Sequence, residues 1–273
     1  MSALVFGALL CAALLHAGWN VLLKARGAGP ASTALLTGGA ALLAALALPF
    51  LAPPAAASWP WIAGSTLLQL LYYRLLGATY GAGEMSHGYP LMRGAAPLLV
   101  ALASAPLLGE PLGALRWGAL ACICAGVLLM ARGGASRRGT GYALLTACVI
   151  AAYTLVDATG VRLSGAPLAY TMWIFMLSGA LFCALASRPG ALWQAAIASP
   201  AGALAGGACA LGSYTIALWA MTQAPVATVA ALRETAILFG VLLAALVLGE
   251  RIDTRRALAV LLIACGAALC RLA

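Results

Sequence analysis

An internal repeat is the feature that most constrains what this chain can fold into. Arg93 and Arg233 each lie inside an apolar stretch, and they are 140 positions apart (233 − 93). The same offset relates three further pairs without a gap: Gly109-Glu110 and Gly249-Glu250, Arg116 and Arg256, and Gly126 and Gly266. Because such self-similarity is the signature of a repeated unit, we interpret the chain as two related halves. Each half carries a guanidinium group in its apolar core.

The composition indicates that lipid surrounds both halves. Of the 273 residues, 64% are hydrophobic and 8% are charged, and the mean hydropathy is +1.04. A soluble domain carries about a quarter charged residues, so this chain has too few to cover a surface in water. The 15 Lys and Arg residues outnumber the 6 Asp and Glu residues, and most lie in short loops. In that position they suit lipid headgroups rather than nucleic acid.

Gly, Pro and charged residues divide the sequence into ten apolar segments. A lipid span needs about 20 apolar residues, so this length holds roughly ten spans and no soluble domain. The segments lack the alternation of a membrane β-barrel, and we therefore predict an all-α polytopic membrane protein with ten transmembrane helices. The predicted spans are 3–23, 33–52, 60–80, 84–107, 116–132, 140–161, 167–187, 201–221, 226–248 and 255–272.

The repeat divides these spans into five plus five. The first repeat covers residues 1–138 and the second covers residues 139–273. An odd number of spans in each copy gives the two copies opposite orientations in the membrane, which makes an inverted repeat. The distribution of Lys and Arg between the loops favours a location of both termini outside the cytoplasm.

The two halves share a closing pattern of Leu-Gly-Glu, a short loop and a final span that contains glycine. It occurs at Leu108-Gly-Glu110 and at Leu248-Gly-Glu250. Together with the ten spans, this pattern resembles the EamA-type transporters of the drug/metabolite transporter superfamily over essentially the whole chain. Finer strings look like one bacterial subgroup of that family: His16-Ala-Gly-Trp-Asn20, Tyr89-Pro-Leu-Met-Arg93, Ala152-Tyr-Thr-Leu-Val-Asp157 and Ala231-Leu-Arg-Glu-Thr235.

That resemblance implies a multi-pass carrier of the bacterial inner (plasma) membrane, with a central cavity and alternating access. It also implies cytoplasmic termini, which conflicts with the distribution of loop charges. Substrates across the superfamily include amino acids, nucleotide sugars, sugar phosphates and drugs, so the resemblance does not name the substrate.

Charged side chains inside the spans are the main functional candidates. A charge at the middle of a bilayer costs at least about 2.5 kcal/mol, so it must face the bundle interior and find a partner. Arg93 and Arg233 suit bidentate recognition of a carboxylate or phosphate; a structural ion pair with Glu234 or Asp157 is the alternative. Glu234 is a further substrate-binding candidate. As neighbours on a helix, Arg233 and Glu234 cannot both point at one spot in a cavity.

Three residues are candidates for coupling transport to a proton or another cation: Asp157, Glu234 and His16. Asp157 shares a helix face with Tyr153 and Thr154, and a fixed counter-ion to an arginine is the alternative role. His16 belongs to a polar stripe on the first span, where a hydrogen-bonded packing role is the alternative.

Further candidates for the binding face are Trp19, Asn20, Gln69 and Tyr73. Asn20 extends the stripe of the first span with Trp19 beside it, and Gln69 and Tyr73 are one turn apart in the third span. Pro90 and Pro97 interrupt the fourth span, where they would serve as a hinge for alternating access or form a static kink. The second repeat has Ala230 and Ile237 at these positions.

Enzyme motifs, metal-spaced clusters and nucleotide-binding loops are not found in the sequence. We therefore predict no enzymatic activity, no cofactor and no metal. We predict a secondary active carrier of an amino acid or organic acid, in export, because Arg74, Arg93 and Arg233 are expected to meet Asp157 and Glu234 in one cavity.

The alternatives are a carrier of a phosphorylated or phosphonate anion and a lipid flippase. The expected partners are a small-molecule substrate, membrane lipid, and a proton or counter-substrate, with no nucleic acid. The chain would act as a monomer or a homodimer.

Overall fold

The chain folds into a bundle of helices. The computed structural model describes residues 1–25, 30–82, 85–131, 136–186, 200–248 and 253–273. No strand occurs within these ranges, and the prediction of an all-helical chain is confirmed there. The helices are α1 (Ala3–Ala25), α2 (Pro30–Ala47), α3 (Trp59–Ala82), α4 (Met85–Leu108), α5 (Ala114–Leu129), α6 (Arg137–Ser164), α7 (Pro167–Ala186), α8 (Pro200–Met221), α9 (Val226–Arg233), α10 (Ala236–Leu248) and α11 (Thr254–Leu272). Two 3₁₀-helices, Leu48–Phe50 and Ala56–Ser58, lie between α2 and α3.

Each predicted span is occupied by a helix, and α9 and α10 share the ninth. Within the described ranges, seven segments are long and apolar enough to cross a membrane, and α5 is a shorter apolar helix. Two helices fall outside this set: α3 carries polar residues such as Gln69 and Arg74, and α11 carries three arginines. The protein is therefore a multi-pass membrane protein.

The fourth and ninth spans differ in continuity. Helix α4 is uninterrupted, although Pro90, Pro97 and Pro106 lie inside it. The ninth span contains no proline, yet a turn at Glu234-Thr235 divides it. The expectation that the prolines interrupt span four is therefore wrong, and the interruption lies in the other repeat. A hinge role for Pro90 and Pro97 stays a prediction.

The turn in the ninth span has a local cause. The Thr235 hydroxyl donates to the carbonyl oxygen of Leu232 at 2.6 Å. The backbone amides of Glu234 and Thr235 bond to carbonyls three residues earlier, at 3.0 and 3.1 Å, instead of four residues earlier. A threonine hydroxyl that competes for a backbone carbonyl favours such a tightened turn, and tightened turns inside a helix often mark a functional position.

The packing of the helices connects the two halves. Across the halves, α2 packs on α7 and α5 packs on α11, while α1 packs on α8 and α3 packs on α6. In the same way α4 contacts α6, and α9 and α10 contact α1. The counterparts in the two halves are α1 and α6, α2 and α7, α3 and α8, α4 and the α9–α10 pair, and α5 and α11. Exchanging every helix for its counterpart reproduces the same set of contacts. The helix contacts therefore follow a two-fold pattern.

Two glycines show this pattern at the level of atoms. A methyl group added at Gly126 would lie 2.8 Å from both the carbonyl oxygen of Ala259 and Cγ1 of Ile263. A methyl group added at Gly266 would lie 2.7 Å from the carbonyl oxygen of Ala119 and 2.6 Å from Cγ1 of Ile123. The two sets of contacts are related by the same offset of 140 as the glycines themselves. Each glycine thus lets α5 and α11 approach closely, as small residues do in membrane helix packing.

Candidate substrate-binding site

The arginine of the first repeat is held in a bidentate ion pair. Arg93, on α4, donates from Nε to Oε2 of Glu234 at 3.0 Å and from Nη2 to Oε1 at 2.8 Å. Only 6% of Arg93 and 4% of Glu234 are exposed. Glu234 lies directly after α9, so the pair joins the two repeats. Because both carboxylate oxygens accept from one guanidinium group, the two charges are matched within the pair.

The arginine of the second repeat has a different environment. Arg233 is 9% exposed, and its Cζ lies 5.0 Å from the ring centroid of Tyr214 on α8. In the described part of the chain, Arg233 forms no ion pair and no hydrogen bond. A cation over an aromatic face gains about 0.5–2 kcal/mol, which is less than the several kcal/mol that burial of an uncompensated charge costs. Arg233 is thus a buried cation without a direct ion-pair partner among the described residues, although Asp157 and Glu234 lie within electrostatic reach of it.

The repeat accounts for this difference. The offset of 140 that relates Arg93 to Arg233 also relates Gly94 to Glu234. Gly94 packs against α5, where an added methyl group would lie 2.9 Å from Cγ of Leu128. The second repeat therefore carries an acid where the first repeat has a glycine. Arg93 receives that acid, and no equivalent acid exists for Arg233.

Asp157, on α6, is the second buried acid, and hydroxyl groups surround it. Its exposed fraction is 0%. Tyr170 donates to Oδ1 at 3.2 Å, Tyr214 donates to Oδ2, and the Ser65 hydroxyl is a third partner. Gly160 leaves room for Tyr170, because a methyl group added there would collide with that hydroxyl group. An ionised carboxylate only accepts hydrogen bonds, so these donors satisfy Asp157 in its charged form.

Aromatic rings form a continuous wall that leads to these charged groups. Neighbouring centroids are 4.7–6.5 Å apart, within the range of favourable ring contacts. The wall includes Tyr214, whose ring faces Arg233 and whose hydroxyl group bonds to Asp157. The ring pairs are Phe182 with Tyr73, Tyr73 with Tyr72, Tyr72 with Tyr153, Tyr153 with Tyr214, and Tyr214 with Phe175.

The remaining predicted residues line the edges of this cluster. Gln69 Nε2 donates to Ser65 Oγ at 3.3 Å, one bond away from Asp157. On α1, Trp19 Nε1 donates to His16 Nδ1 at 3.2 Å, and Asn20 Nδ2 donates to the His16 carbonyl at 2.7 Å. These α1 side chains are therefore bonded to one another, and His16 lies within electrostatic reach of both Arg93 and Arg233.

An acid from the Leu-Gly-Glu pattern links several helices at one end of the bundle. Gly109 ends α4 with a φ of 67°, a conformation that suits glycine and turns Glu110 towards the second repeat. Glu110 accepts from the backbone amide of Val226 at 2.8 Å and from Nη2 of Arg162. Arg162 also donates to the carbonyl of Met221 at 2.8 Å. This Glu110 cluster ties the end of α4 to α6, α8 and α9. The equivalent acid of the second repeat, Glu250, lies outside the described residues.

Comparisons with known proteins identify the family. Residues 137–272, about half of the chain, match the model of the EamA-like transporter family. The chain belongs to the EamA-like transporter family. Twenty-eight chains of solved structures match it. One of them, a crystal structure, is 20% identical with a TM-score of 0.78, and the match covers 100% of this chain and 98% of that chain. That likeness shows a shared fold. No curated protein matches.

One expected member of the site of this EamA-like transporter lies elsewhere. Arg74 is exposed on α3 and does not join Arg93 and Arg233, so the expected cluster of three arginines is wrong. Arg74 follows Tyr73 directly, and Tyr73 packs against Phe182. Because neighbours on a helix point in different directions, Arg74 is turned away from the rings.

A pocket of about 190 Å³ also lies apart from the charged cluster of this EamA-like transporter. None of its lining residues belongs to the Arg93, Arg233 or Asp157 groups. The lining includes Arg116, Gln223, Thr228 and Cys270, at the ends of α5, α8, α9 and α11.

Three hydroxyl-bearing partners of Asp157 were not predicted from the sequence: Ser65, Tyr170 and Tyr214. A signal was available, because Ser213-Tyr-Thr215 is a polar triplet in an otherwise apolar span, and Tyr170-Thr171 is a polar pair in another. Polar groups inside membrane spans need partners, so such triplets and pairs indicate contacts with another buried polar group.

Proposed function

We propose that this protein is a secondary active carrier of a small organic anion, of the amino-acid or organic-acid class, in a bacterial inner membrane. One observation carries the proposal: Arg233 is nine-tenths buried, and within the described chain its guanidinium group forms no ion pair and no hydrogen bond. A buried guanidinium group without a direct partner is costly, and the anionic group of a substrate would supply that partner. The planar guanidinium fork can hold a carboxylate by two parallel bonds.

The proposed mechanism is alternating access between two inverted five-helix repeats. The two-fold exchange of helix contacts and the reciprocal packing of Gly126 and Gly266 support this architecture. Inverted repeats can exchange conformations, so that one side opens while the other closes about a fixed central site. The Arg93–Glu234 pair would hold the repeats together at that site. The Glu110 cluster would be the barrier on one side.

Asp157 is the proposed coupling residue, with Glu234 and His16 as the other candidates. Tyr214 contacts both Asp157 and Arg233, which supports a link between a proton and the substrate anion. A proton that enters from water and bonds to Oδ2 would turn this oxygen from an acceptor into a donor. The Tyr214 hydroxyl group would then have to stop donating to Oδ2, and either turn to accept from it or move away. Movement of Tyr214 would change the surroundings of Arg233.

The other substrate contacts in this proposal come from the edges of the site. Tyr73 belongs to the aromatic wall, and Gln69 is bonded to Ser65 beside Asp157. Trp19 and Asn20 lie with His16 on α1. These side chains would contact the part of the substrate that does not carry the negative charge.

Transport by purified protein tests the proposal. A thermal-shift screen of detergent-solubilised protein against a metabolite library identifies a ligand, and uptake of that ligand into proteoliposomes is then measured for wild type, Arg233→Lys and Arg233→Gln. We expect saturable uptake by wild type, weaker binding in the lysine variant because the fork is lost, and no saturable uptake in the glutamine variant. Arg74→Gln removes the same group from an exposed position and serves as the matched control. Folded Arg233→Gln that transports at the wild-type rate would overturn the proposal.

Coupling is tested separately with Asp157→Asn and Tyr214→Phe. We expect both variants to exchange substrate between two filled compartments but to lose accumulation driven by a pH gradient. The phenylalanine variant keeps the ring that faces Arg233 and removes only the hydroxyl group. Unchanged gradient-driven accumulation in both variants would exclude Asp157 as the coupling residue and direct the same assay to Glu234 and His16.

A further inference from the structure

The two buried acids of the site are already occupied. Glu234 accepts from Arg93 with both carboxylate oxygens. Asp157 accepts from Tyr170 and Tyr214, one on each oxygen, and has Ser65 as a further partner. An ammonium group in the substrate needs a buried acceptor of negative charge, because an unpaired buried cation is costly. Both acids would have to give up their present partners to provide one.

One guanidinium group of the site is left for a direct contact with an anion. Arg93 is bonded to Glu234, and Arg74 is exposed on α3. Arg233 is the one buried arginine within the described residues that forms no ion pair, although Asp157 and Glu234 lie within electrostatic reach of it. A single guanidinium group matches one negative charge, so a substrate with two negative charges would bring one of them into the bundle uncompensated.

The rings beside Arg233 indicate what the rest of the substrate resembles. Tyr214, Tyr153 and Phe175 lie next to one another, with centroids 5.6–6.5 Å apart. Rings at these spacings bury apolar surface and favour contact with another flat or apolar group. The Tyr214 hydroxyl group is already bonded to Asp157, and Phe175 has no polar group. A polar body placed against these two rings would therefore lose its hydration without regaining an equal number of hydrogen bonds.

We propose that the substrate is a monocarboxylate with an aromatic or apolar body, bound through Arg233, and that neither a zwitterion nor a dianion is preferred. This inference rests on the proposed function and narrows its substrate class. The carboxylate replaces the missing acid of the first repeat, and the body lies along the aromatic wall. The Arg93–Glu234 pair stays closed while the substrate is bound.

Matched ligands that share one phenyl body test this inference. Affinities of purified wild type are measured by titration with 3-phenylpropanoate, phenylalanine, and phenylphosphonate at an alkaline pH that keeps the phosphonate doubly charged. Acetate serves as a carboxylate without a body. We expect 3-phenylpropanoate to bind at least about tenfold more tightly than each of the other three. We expect Arg233→Gln to weaken it by about tenfold or more, and Arg74→Gln to leave it unchanged.

The other outcomes distinguish a failure of this inference from a failure of the proposed function. Tighter binding of phenylalanine or phenylphosphonate that still depends on Arg233 would overturn the substrate class and leave the carrier proposal standing. Equal binding of acetate and 3-phenylpropanoate would overturn the role of the rings. Binding of 3-phenylpropanoate that is unaffected by Arg233→Gln in folded protein would overturn both the inference and the proposed anion site.

Discussion

The two arginines of the repeat occupy equivalent positions in the sequence and have opposite surroundings. Arg93 is bonded at both ends of its fork to Glu234, whereas Arg233 faces only the ring of Tyr214 among the described residues. Both are at least nine-tenths buried, so the difference does not come from access to water. It comes from one position, where the first repeat has Gly94 and the second has Glu234.

A repeated residue need not have a repeated role. Duplication supplied two buried cations, and the acid that neutralises one of them exists in one copy only. A matched buried pair fixes the arrangement of the elements that it joins. An unmatched cation stays available for a ligand. The asymmetry between the copies therefore separates a structural arginine from a candidate binding arginine.

The largest expected effect is on stability and separates the two arginines directly. Arg93→Gln or Glu234→Gln leaves one buried charge without its partner, which should cost about 3–5 kcal/mol of unfolding free energy. Arg233→Gln removes a charge that has no ion-pair partner and loses only a contact with a ring, so it should lower the unfolding free energy by no more than about 1 kcal/mol. Denaturant unfolding of the detergent-solubilised variants measures both. Equal losses for Arg93→Gln and Arg233→Gln would contradict the different roles.

A smaller effect tests whether the two copies really pack as equivalents. Gly126→Ala and Gly266→Ala should each destabilise the protein by about 1–3 kcal/mol, because the added methyl group meets backbone and side-chain atoms of the opposite helix. Gly118→Ala, on the same helix as Gly126, meets nothing within 4 Å and is the matched control. Thermal unfolding of the three variants should give similar losses for the first two. A loss at one glycine only would show that α5 and α11 are not related by the two-fold pattern.

The third expected effect concerns the missing acid. Gly94→Glu in a Leu128→Ala background, which removes the side chain next to Gly94, should give Arg233 a counter-ion. It should then weaken the binding of an anion by about tenfold, equivalent to about 1.4 kcal/mol. The matched control, Gly94→Gln in the same background, adds a side chain of the same shape without the charge. Its affinity for the anion should equal that of the Leu128→Ala parent. Ligand titration distinguishes them, and equal affinity of the Glu and Gln variants would contradict the explanation based on Gly94.

The fold could be predicted from the sequence because its determinants are local. Long apolar runs separated by Gly, Pro and charge give helices of nearly the predicted lengths in this chain. The turn at Glu234-Thr235 was not predicted, since it depends on one hydroxyl group that bonds to its own backbone. Pro90 and Pro97 were expected to interrupt the fourth span, yet α4 continues through them.

The site could be predicted only in part because partners depend on tertiary packing. The sequence identified Arg93, Arg233, Glu234 and Asp157 as unusual charges in apolar spans, but their partners come from other helices. Tyr214 reaches Asp157 from α8, and Tyr170 reaches it from α7. The absence of a side chain at Gly160 leaves the space that Tyr170 occupies. Spacing along one helix contains no information on such contacts.

The central claim is that Arg233, and not Arg93, holds the substrate anion. The most direct test is the affinity for the anion found in the ligand screen, measured by titration of two folded variants. In the Arg93→Gln/Glu234→Gln variant both charges of the pair are removed together, so neither member of the pair is left without its partner. We predict that this variant keeps an affinity within about threefold of wild type, whereas Arg233→Gln loses about tenfold or more. A wild-type affinity in Arg233→Gln, together with a tenfold loss in the double variant, would contradict the account.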